Sequence, residues 1–234
     1  MLKPGPVLFK GEMVREIIAN RKTQTRRVLK NLKIYLPKPV RSELPFFISG
    51  SGLEARAGIH VAHLNPHGAV FVKIGDQSLG IKPGEFEWHS PYGRVGSRLY
   101  VRETWRTEEN YSSLIDGIRF RADDSFLQIE NTREAAELWM DAYDNGRHGE
   151  KWRPSIFMPT WASRLTLEIT NIRVERVQAI SSDDAQAEGV DLGTWGSWPT
   201  AFAELWDSIN SKRGFSWKSN PWVWVYDFRK VEKS

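Results

Sequence analysis

Four cations and two hydroxyls crowd the stretch Arg21-Lys22-Thr23-Gln24-Thr25-Arg26-Arg27. Like charges at this density repel one another, so folding alone gives little reason to gather them. A Thr hydroxyl is a weak nucleophile until a neighbour takes its proton. Lys22 could take it from Thr25 if the amine were neutral, but a free lysine titrates at about 10.4. Burial and the charges of Arg21, Arg26 and Arg27 would press that value down, and a helix C-terminus would press it up. Two pressures against one favour depression. The plainer account is a solvated helix end whose cations offset the macrodipole, with Lys22 in a surface salt bridge. Against it, Thr residues alternate with the cations, which does little for a helix.

Carboxylates supply the other half of acid–base chemistry. Glu188 stands among Ala185, Ala187 and Gly189. These small neighbours leave room for a substrate, although a solvent-facing helix residue reads the same way. Glu103 follows Val101 on one side of a strand pattern, and an inward Glu needs a cation. Arg102 and Arg164 could equally hold an anion or a carbonyl oxygen. His60, His63 and His67 have a superficially metal-like spacing, but no helical pattern presents them on one face, so no metal is expected. No nucleophile-elbow, Walker or dinucleotide fingerprint stands in its required context.

The elements that must position these groups follow from periodicity. Met13, Val14, Ile17 and Ile18 form an apolar stripe, predicting a helix over about 11–20 that ends at the cationic cluster. Val28-Leu29 starts an extended piece. The texture changes between about 37 and 91, where Gly, Pro, Ser and His punctuate an inserted, loop-rich region with one strand at 69–74. Strands are expected from Leu99 through Thr104, over 118–122 and over 164–170. Asn171 breaks the last, and a second strand follows to about Val177. Helices are expected over 132–143, over 181–189 with capping at the front and Gly189 at the end, and over 199–211. In the last of these, Phe202, Leu205, Trp206 and Ile209 share one face. Trp222 to Phe228 is apolar on both faces through Val225, the pattern of a strand deep inside a sheet or barrel. Many short strands with few helices indicate a small β-barrel or mixed α+β domain, closed by the aromatic final strand.

With 234 residues the chain suits one domain with large insertions or two small ones. Eleven Trp residues are unusual, and they serve a core or offer platforms for stacked bases. The net charge of +4 permits an anionic partner such as a nucleotide or RNA without requiring one. The absence of Cys removes disulfides, zinc–thiolate sites and thiol nucleophiles. The N-terminus lacks the apolar core of a signal peptide, and no run approaches a membrane span. A cytoplasmic protein without a membrane partner is expected.

The stretch Asn20-x-Lys22-x-x-Thr25-x-Arg27 resembles the G-x-K-x-x-E-x-R pattern of the ASCH domain family, in the PUA-like superfamily. Asn20 stands for the Gly and Thr25 for the Glu. The Thr form, Lys22-Thr23-Gln24-Thr25, is similar to small bacterial N(4)-acetylcytidine amidohydrolases, whose triad is a Lys, a Thr and a later Glu. Carried over by position, that triad falls on Lys22, Thr25 and Glu188, the last within Ala185-Gln186-Ala187-Glu188. Arg98 to Trp105, Trp152 to Ala162 and Trp222 to Phe228 look like a longer ASCH subgroup of phages and prophages. The likeness covers the first 30 residues and most of 93–231, and leaves 37–91 unexplained. It implies one domain over 1–234, α+β in class, with a PUA-like mixed β-barrel flanked by helices and a cleft between them. It also implies an amidohydrolase that removes an acyl group from the exocyclic amine of N(4)-acylated cytidine compounds, without metal or cofactor. Thr25 would attack, Lys22 would accept its proton, and Glu188 would position Lys22 or protonate the leaving amine; exchanging the Lys and Glu roles is equally consistent. Arg21, Arg27, Glu103, Arg102 and Arg164 are the candidates for holding a modified nucleoside or nucleobase. RNA is a second partner that the family implies, through a base-reading module or a ribonuclease with Lys22, Arg26 and Arg27 on phosphate.

Overall fold

The structure is a computed structural model. It describes residues 5–29, 33–35, 53–54, 59–64, 70–74, 77–81, 87–88, 90–109, 115–129, 151–194 and 196–232. Side chains are described over 5–29, 90–108, 117–129, 151–194 and 196–232.

The chain begins with strand β1 (Gly5–Leu8), helix α1 (Gly11–Ile18) and strand β2 (Gln24–Val28). Short strands follow: β3 (Lys33–Tyr35), β4 (Leu53–Glu54), β5 (Ile59–Leu64), β6 (Val70–Ile74), β7 (Gln77–Ile81) and β8 (Glu87–Trp88). Next come β9 (Arg98–Arg102), β10 (Trp105–Glu109), β11 (Ile115–Phe120), β12 (Phe126–Gln128) and the long β13 (Thr166–Arg176). Helices α2 (Ser182–Ala187) and α3 (Trp198–Asn210) precede the last strand, β14 (Trp222–Val231). The protein is mixed α+β. The main sheet has five strands in the order β1-β9-β13-β14-β2. Three-stranded sheets join β10-β11-β12, β4-β3-β8 and β5-β6-β7. Among the described residues no sheet closes into a barrel. The final strand was expected to close one; it lies inside the main sheet instead, antiparallel to both β13 and β2.

β14 explains why a strand here is apolar on both faces. Trp224, Tyr226 and Phe228 pack with Val14 and Ile17 of α1 and with Val7, Leu99, Val101, Leu167 and Ile169. Val223 and Val225 point the other way, onto Ala185 of α2 and Phe202 and Trp206 of α3. Each fully buried aliphatic or aromatic side chain contributes about 1.5–3 kcal/mol, so both layers anchor β14. A third cluster gathers Trp105, Ile118, Phe120, Met158 and Ala162 beside the β10–β12 sheet.

Three boundaries differ from the sequence reading. The helix that was to run to about residue 20 stops at Ile18, and Asn20 takes φ 57°. The amides of Arg21 and Lys22 both donate to the Glu16 carbonyl, at 2.9 and 3.0 Å, and the chain reverses. Consequently the cationic cluster does not sit at a helix end. From Gln24 it is a strand paired with β14, where the extended piece was expected only from Val28. Further on, Asn171 does not break a strand: β13 runs through it, with a register shift between Ile169 and Asn171. Asn171 stays attached because its side-chain amide donates to Asp227 at 2.9 Å. The expected helix over 132–143 lies outside the described residues. Of the expected strand at 69–74, Val70–Ile74 is present as β6.

The left-handed backbone of Asn20 gives a test. Asn and Gly tolerate this region, whereas a β-branched residue pays roughly 1–2 kcal/mol there. Asn20→Gly should leave the urea unfolding midpoint nearly unchanged, and Asn20→Val should lower stability by about that amount.

Candidate active site

Lys22 and Glu188, 166 residues apart in sequence, meet in the interior. The Lys22 ammonium donates to Glu188 Oε2 at 2.6 Å and to the Glu188 carbonyl at 2.7 Å. The two side chains are 0% and 4% exposed. Backbone contacts fix the approach: Lys22 and Glu188 form an isolated antiparallel bridge, and the Thr23 amide donates to the Ala187 carbonyl at 2.8 Å. Phe228 of β14 donates to the Thr23 carbonyl from the other side. Glu188 is delivered by α2, whose Ser181 hydroxyl accepts from the Asp184 amide at its start. Gly189 then turns the chain at φ +73°. A Cβ there would lie 2.8 Å from the Cβ atoms of both Lys22 and Glu16. Glycine lets the turn close against Lys22.

Burial presses the Lys22 amine below the ordinary lysine value. Glu188 opposes that shift, and the charges of Arg27 and Arg26 reinforce it. Nζ also sits 5.8 Å from the centre of the Phe9 ring. The proton between Lys22 and Glu188 is therefore held less tightly than on a free lysine.

Arg26 organises the carboxylates around this pair. Its side chain is fully buried and reaches Glu188 Oε1 at 3.3 Å and Asp184 Oδ2 at 3.0 Å, as well as Glu175 and the Gln24 side-chain oxygen. Glu188 thus has one oxygen toward Lys22 and the other toward Arg26. Gln24 donates to Asp184 at 3.0 Å and to Asp227 at 2.6 Å. Arg173 closes the ring through Asp184, Asp227 and Glu175. Burial pushes Asp184 up, but Gln24, Arg173 and Arg26 together hold it below its usual value.

Thr25 lies on β2 opposite Tyr226 and is almost buried. It lines a cavity of about 230 Å³, together with Arg26, Arg27, Tyr92, Glu188 and Arg213. Among the described residues its hydroxyl has no hydrogen-bond partner, so no base is yet docked on it. Such contacts often tighten only when substrate is present. One wall comes from α3. All four residues of its stripe line the cavity: Phe202 and Trp206 are buried and also pack in the core, whereas Leu205 and Ile209 are half-buried. Tyr92 stands edge-on to Tyr226 at 5.2 Å, and the Tyr226 hydroxyl is bonded to Ser90 at 2.8 Å. Burial raises the Tyr226 phenol well above its usual value.

The other expected substrate contacts divide. Arg27 is on the cavity wall, with Nη2 donating to the Leu8 carbonyl at 2.7 Å. Arg21 is exposed, pairs with Glu16 at 2.6 Å, and lines a different cavity with Gln186, Asp191 and Trp198. Glu103 has the cation its burial demands: Arg164 binds both its oxygens at 2.9 Å, holds Asp123 at 2.9 Å, and lies 4.1 Å from the Phe120 ring centre. Burial pushes the Glu103 carboxyl up, against the pull of Arg164. Arg102 donates to the Ile156 carbonyl at 3.0 Å and the Tyr100 hydroxyl at 2.7 Å. None of Arg102, Glu103 and Arg164 lines the Thr25 cavity. His67 and the side chains of His60 and His63 fall outside what is described. The sequence reading named no role for Gln24, Asp184, Tyr92 or Arg213. Only the alternation from Gln24 onward carried a trace of the strand that brings the first of these to the site.

Neither a protein-family model nor a curated protein sequence matches the chain. Among solved structures, a crystal structure of an Enterococcus faecalis V583 protein of the family model DUF984 aligns with 99% of this chain and 78% of its own. The TM-score is 0.36 and the identity 11%, a likeness that carries no weight for fold or function.

The buried pair makes a stability prediction. Glu188→Leu strands the Lys22 ammonium in the interior and should cost about 3–5 kcal/mol in urea unfolding, whereas Lys22→Met leaves Glu188 its contact with Arg26 and should cost less. The double variant should be more stable than either single one. A double variant destabilised by the sum of the two would show that the pair is not coupled.

Proposed function

We propose that the protein is an amidohydrolase that removes the acyl group from the exocyclic amine of N(4)-acylated cytidine or a related base, on a PUA-like fold and in the cytosol. The observation that carries this reading is the buried Lys22–Glu188 pair, whose Glu188 lines the same cavity as Thr25. It agrees with the likeness of Lys22-Thr23-Gln24-Thr25 to the amidohydrolase motif. Among the described residues no helix is long and apolar enough to cross a membrane.

In this mechanism Thr25 Oγ1 attacks the amide carbonyl carbon. Neutral Lys22 takes the hydroxyl proton as the C–O bond forms. The negative oxygen of the tetrahedral intermediate faces a cavity wall rich in arginine, where positive charge opposes it. The C–N bond then breaks, and the proton passes from Lys22 to the departing exocyclic amine. Water then attacks the Thr25 ester and gives a proton to Lys22; the bond from the acyl carbon to Thr25 Oγ1 breaks, Lys22 returns the proton to Oγ1, and the carboxylic acid leaves. Glu188 positions the Lys22 amine and balances its charge while it carries the proton. Arg26 in turn orients Glu188 through Oε1, and its charge adds to the lowering of the Lys22 pKa.

The test is hydrolysis of N(4)-acetylcytidine to cytidine, followed by absorbance and chromatography. Wild type should turn over. Thr25→Ala, at a cavity-lining position, should lose kcat by about a thousandfold or more, as triad members do. Persistent turnover in Thr25→Ala would remove the nucleophile. If wild type does not act on this or larger acyl groups, the reading gives way to RNA binding or cleavage.

The pH dependence has a definite sign. Activity requires neutral Lys22, so it should rise with pH through an apparent pKa below the ordinary lysine value. Arg26 helps depress Lys22. Arg26→Gln should therefore shift the rising limb to higher pH. An unmoved or acid-shifted limb in a folded variant would show that Lys22 is not the titrating base.

A further inference from the structure

The charges lining the Thr25 cavity do not cancel. Arg26, Arg27 and Arg213 line it, against the single carboxylate of Glu188. Arg26 is already matched by Glu175, Asp184 and Glu188. Arg27 and Arg213 have no carboxylate partner among the described residues. The Arg27 Nε is buried and bonded to nothing described, while its Nη2 is held by the Leu8 carbonyl. Arg213 is exposed, and its Nη1 donates to the side-chain oxygen of Asn210 at 3.0 Å. Asn210 is itself buried, and its amide is tied back to the Trp206 carbonyl at 3.3 Å. Arg213 is thus tethered at the cavity mouth by a fixed side chain. A cation near the end of α3 is also favoured by the helix dipole, but that partial charge does not neutralise a guanidinium and says nothing of Arg27.

The cavity's size sets how such a ligand divides. At about 230 Å³ it falls below the usual range for sites that enclose a whole drug-sized ligand. A base with its acyl group fits against Tyr92, Leu205 and Ile209, and a sugar and whatever it carries stay at the mouth. The group at the mouth then meets unpaired guanidinium, which suits the planar recognition of a phosphate.

We propose that the ligand is a nucleotide, and that Arg213 together with Arg27 binds its phosphate. This rests on the reading of the cavity as a base site. It narrows the substrate from a neutral nucleoside to an N(4)-acylated cytidine 5′-monophosphate.

Binding tests this separately from turnover. Calorimetry would compare cytidine 5′-monophosphate with cytidine for wild type, Arg213→Ala and Arg213→Lys. In wild type at low salt the nucleotide should bind about tenfold tighter or more. The advantage should shrink as salt rises. It should fall toward unity in Arg213→Ala and return in part in Arg213→Lys. Equal affinities in wild type, an advantage that survives Arg213→Ala, or no binding of either compound would overturn the proposal. A cytidine-centred RNA trinucleotide that binds tighter than the mononucleotide would assign the phosphate to a strand and remove the mononucleotide. Hydrolysis of N(4)-acetylcytidine by wild type, measured alongside, keeps the two ideas apart. Turnover without a phosphate preference leaves the amidohydrolase standing alone, and a phosphate preference without turnover leaves a nucleotide-binding site.

Discussion

An ammonium group cannot stay in a protein interior without a partner, and the placement of Lys22 makes that demand on the whole fold. Glu188 meets it from the far end of the sequence. For the two to touch, α2 must stop beside the turn after α1, Gly189 must lack a side chain, and β2 must lie along β14. β14 can serve because it carries bulky side chains toward α1 and smaller ones toward α2 and α3. Thr23 links the two halves, bonded to Phe228 of β14 on one side and to Ala187 beside Glu188 on the other. An apolar pair of similar volume is often at least as stable as a buried ion pair. Stability alone therefore gives no reason for Lys22 and Glu188 in place of apolar residues.

The ring around Arg26 changes what the pair can do. A lone Lys–Glu contact would hold its proton firmly. Here burial weakens the ammonium, Arg26 and Arg27 add like charge nearby, and Arg26 competes for Glu188 through its second oxygen. Gln24, Arg173, Asp184 and Asp227 fix the orientation of Arg26 in turn. Because these groups lie within one bonded network, a change at Arg26 reaches Lys22 both directly and through Glu188. Arg26 is a positioning residue in this scheme: it acts on the reacting atoms only through Lys22 and Glu188.

Local signals were legible in the sequence, and long-range ones were not. The capping serine and terminal glycine marked α2, the helical stripe marked α3, and the two-sided apolar run marked β14 as an interior strand. The stripe on α3 was read as one shared face, and that face both packs in the core and lines a cavity, because periodicity says which side is apolar and not what covers it. The end of α1 was misplaced because cations suit a last helical turn, while Asn20 takes the left-handed backbone that ends it. Asn171 looked like a break because turn formers interrupt a pattern, but a bulge absorbs one residue and lets pairing resume. Arg102, Glu103 and Arg164 looked like site residues on the sound ground that a buried carboxylate needs a cation. Glu103 and Arg164 do form such a pair, but away from Thr25. Arg26 was visible as a charge, and its role depended on three carboxylates about 150–160 residues away.

The two departures from the pattern that Asn20 to Arg27 resembles have different physical meanings. Asn for Gly at position 20 keeps the backbone requirement, since both residues enter the left-handed region that the reversal after α1 needs. Thr for Glu at position 25 changes the chemistry. A carboxylate there would set a second negative group on the cavity wall that already holds Glu188, and the two would compete for Lys22 and Arg26. A threonine adds an oxygen without adding charge. It leaves the Lys22–Glu188 contact undivided and exposes a hydroxyl that no described side chain occupies. The same geometry that would make a glutamate redundant is what gives a threonine a use.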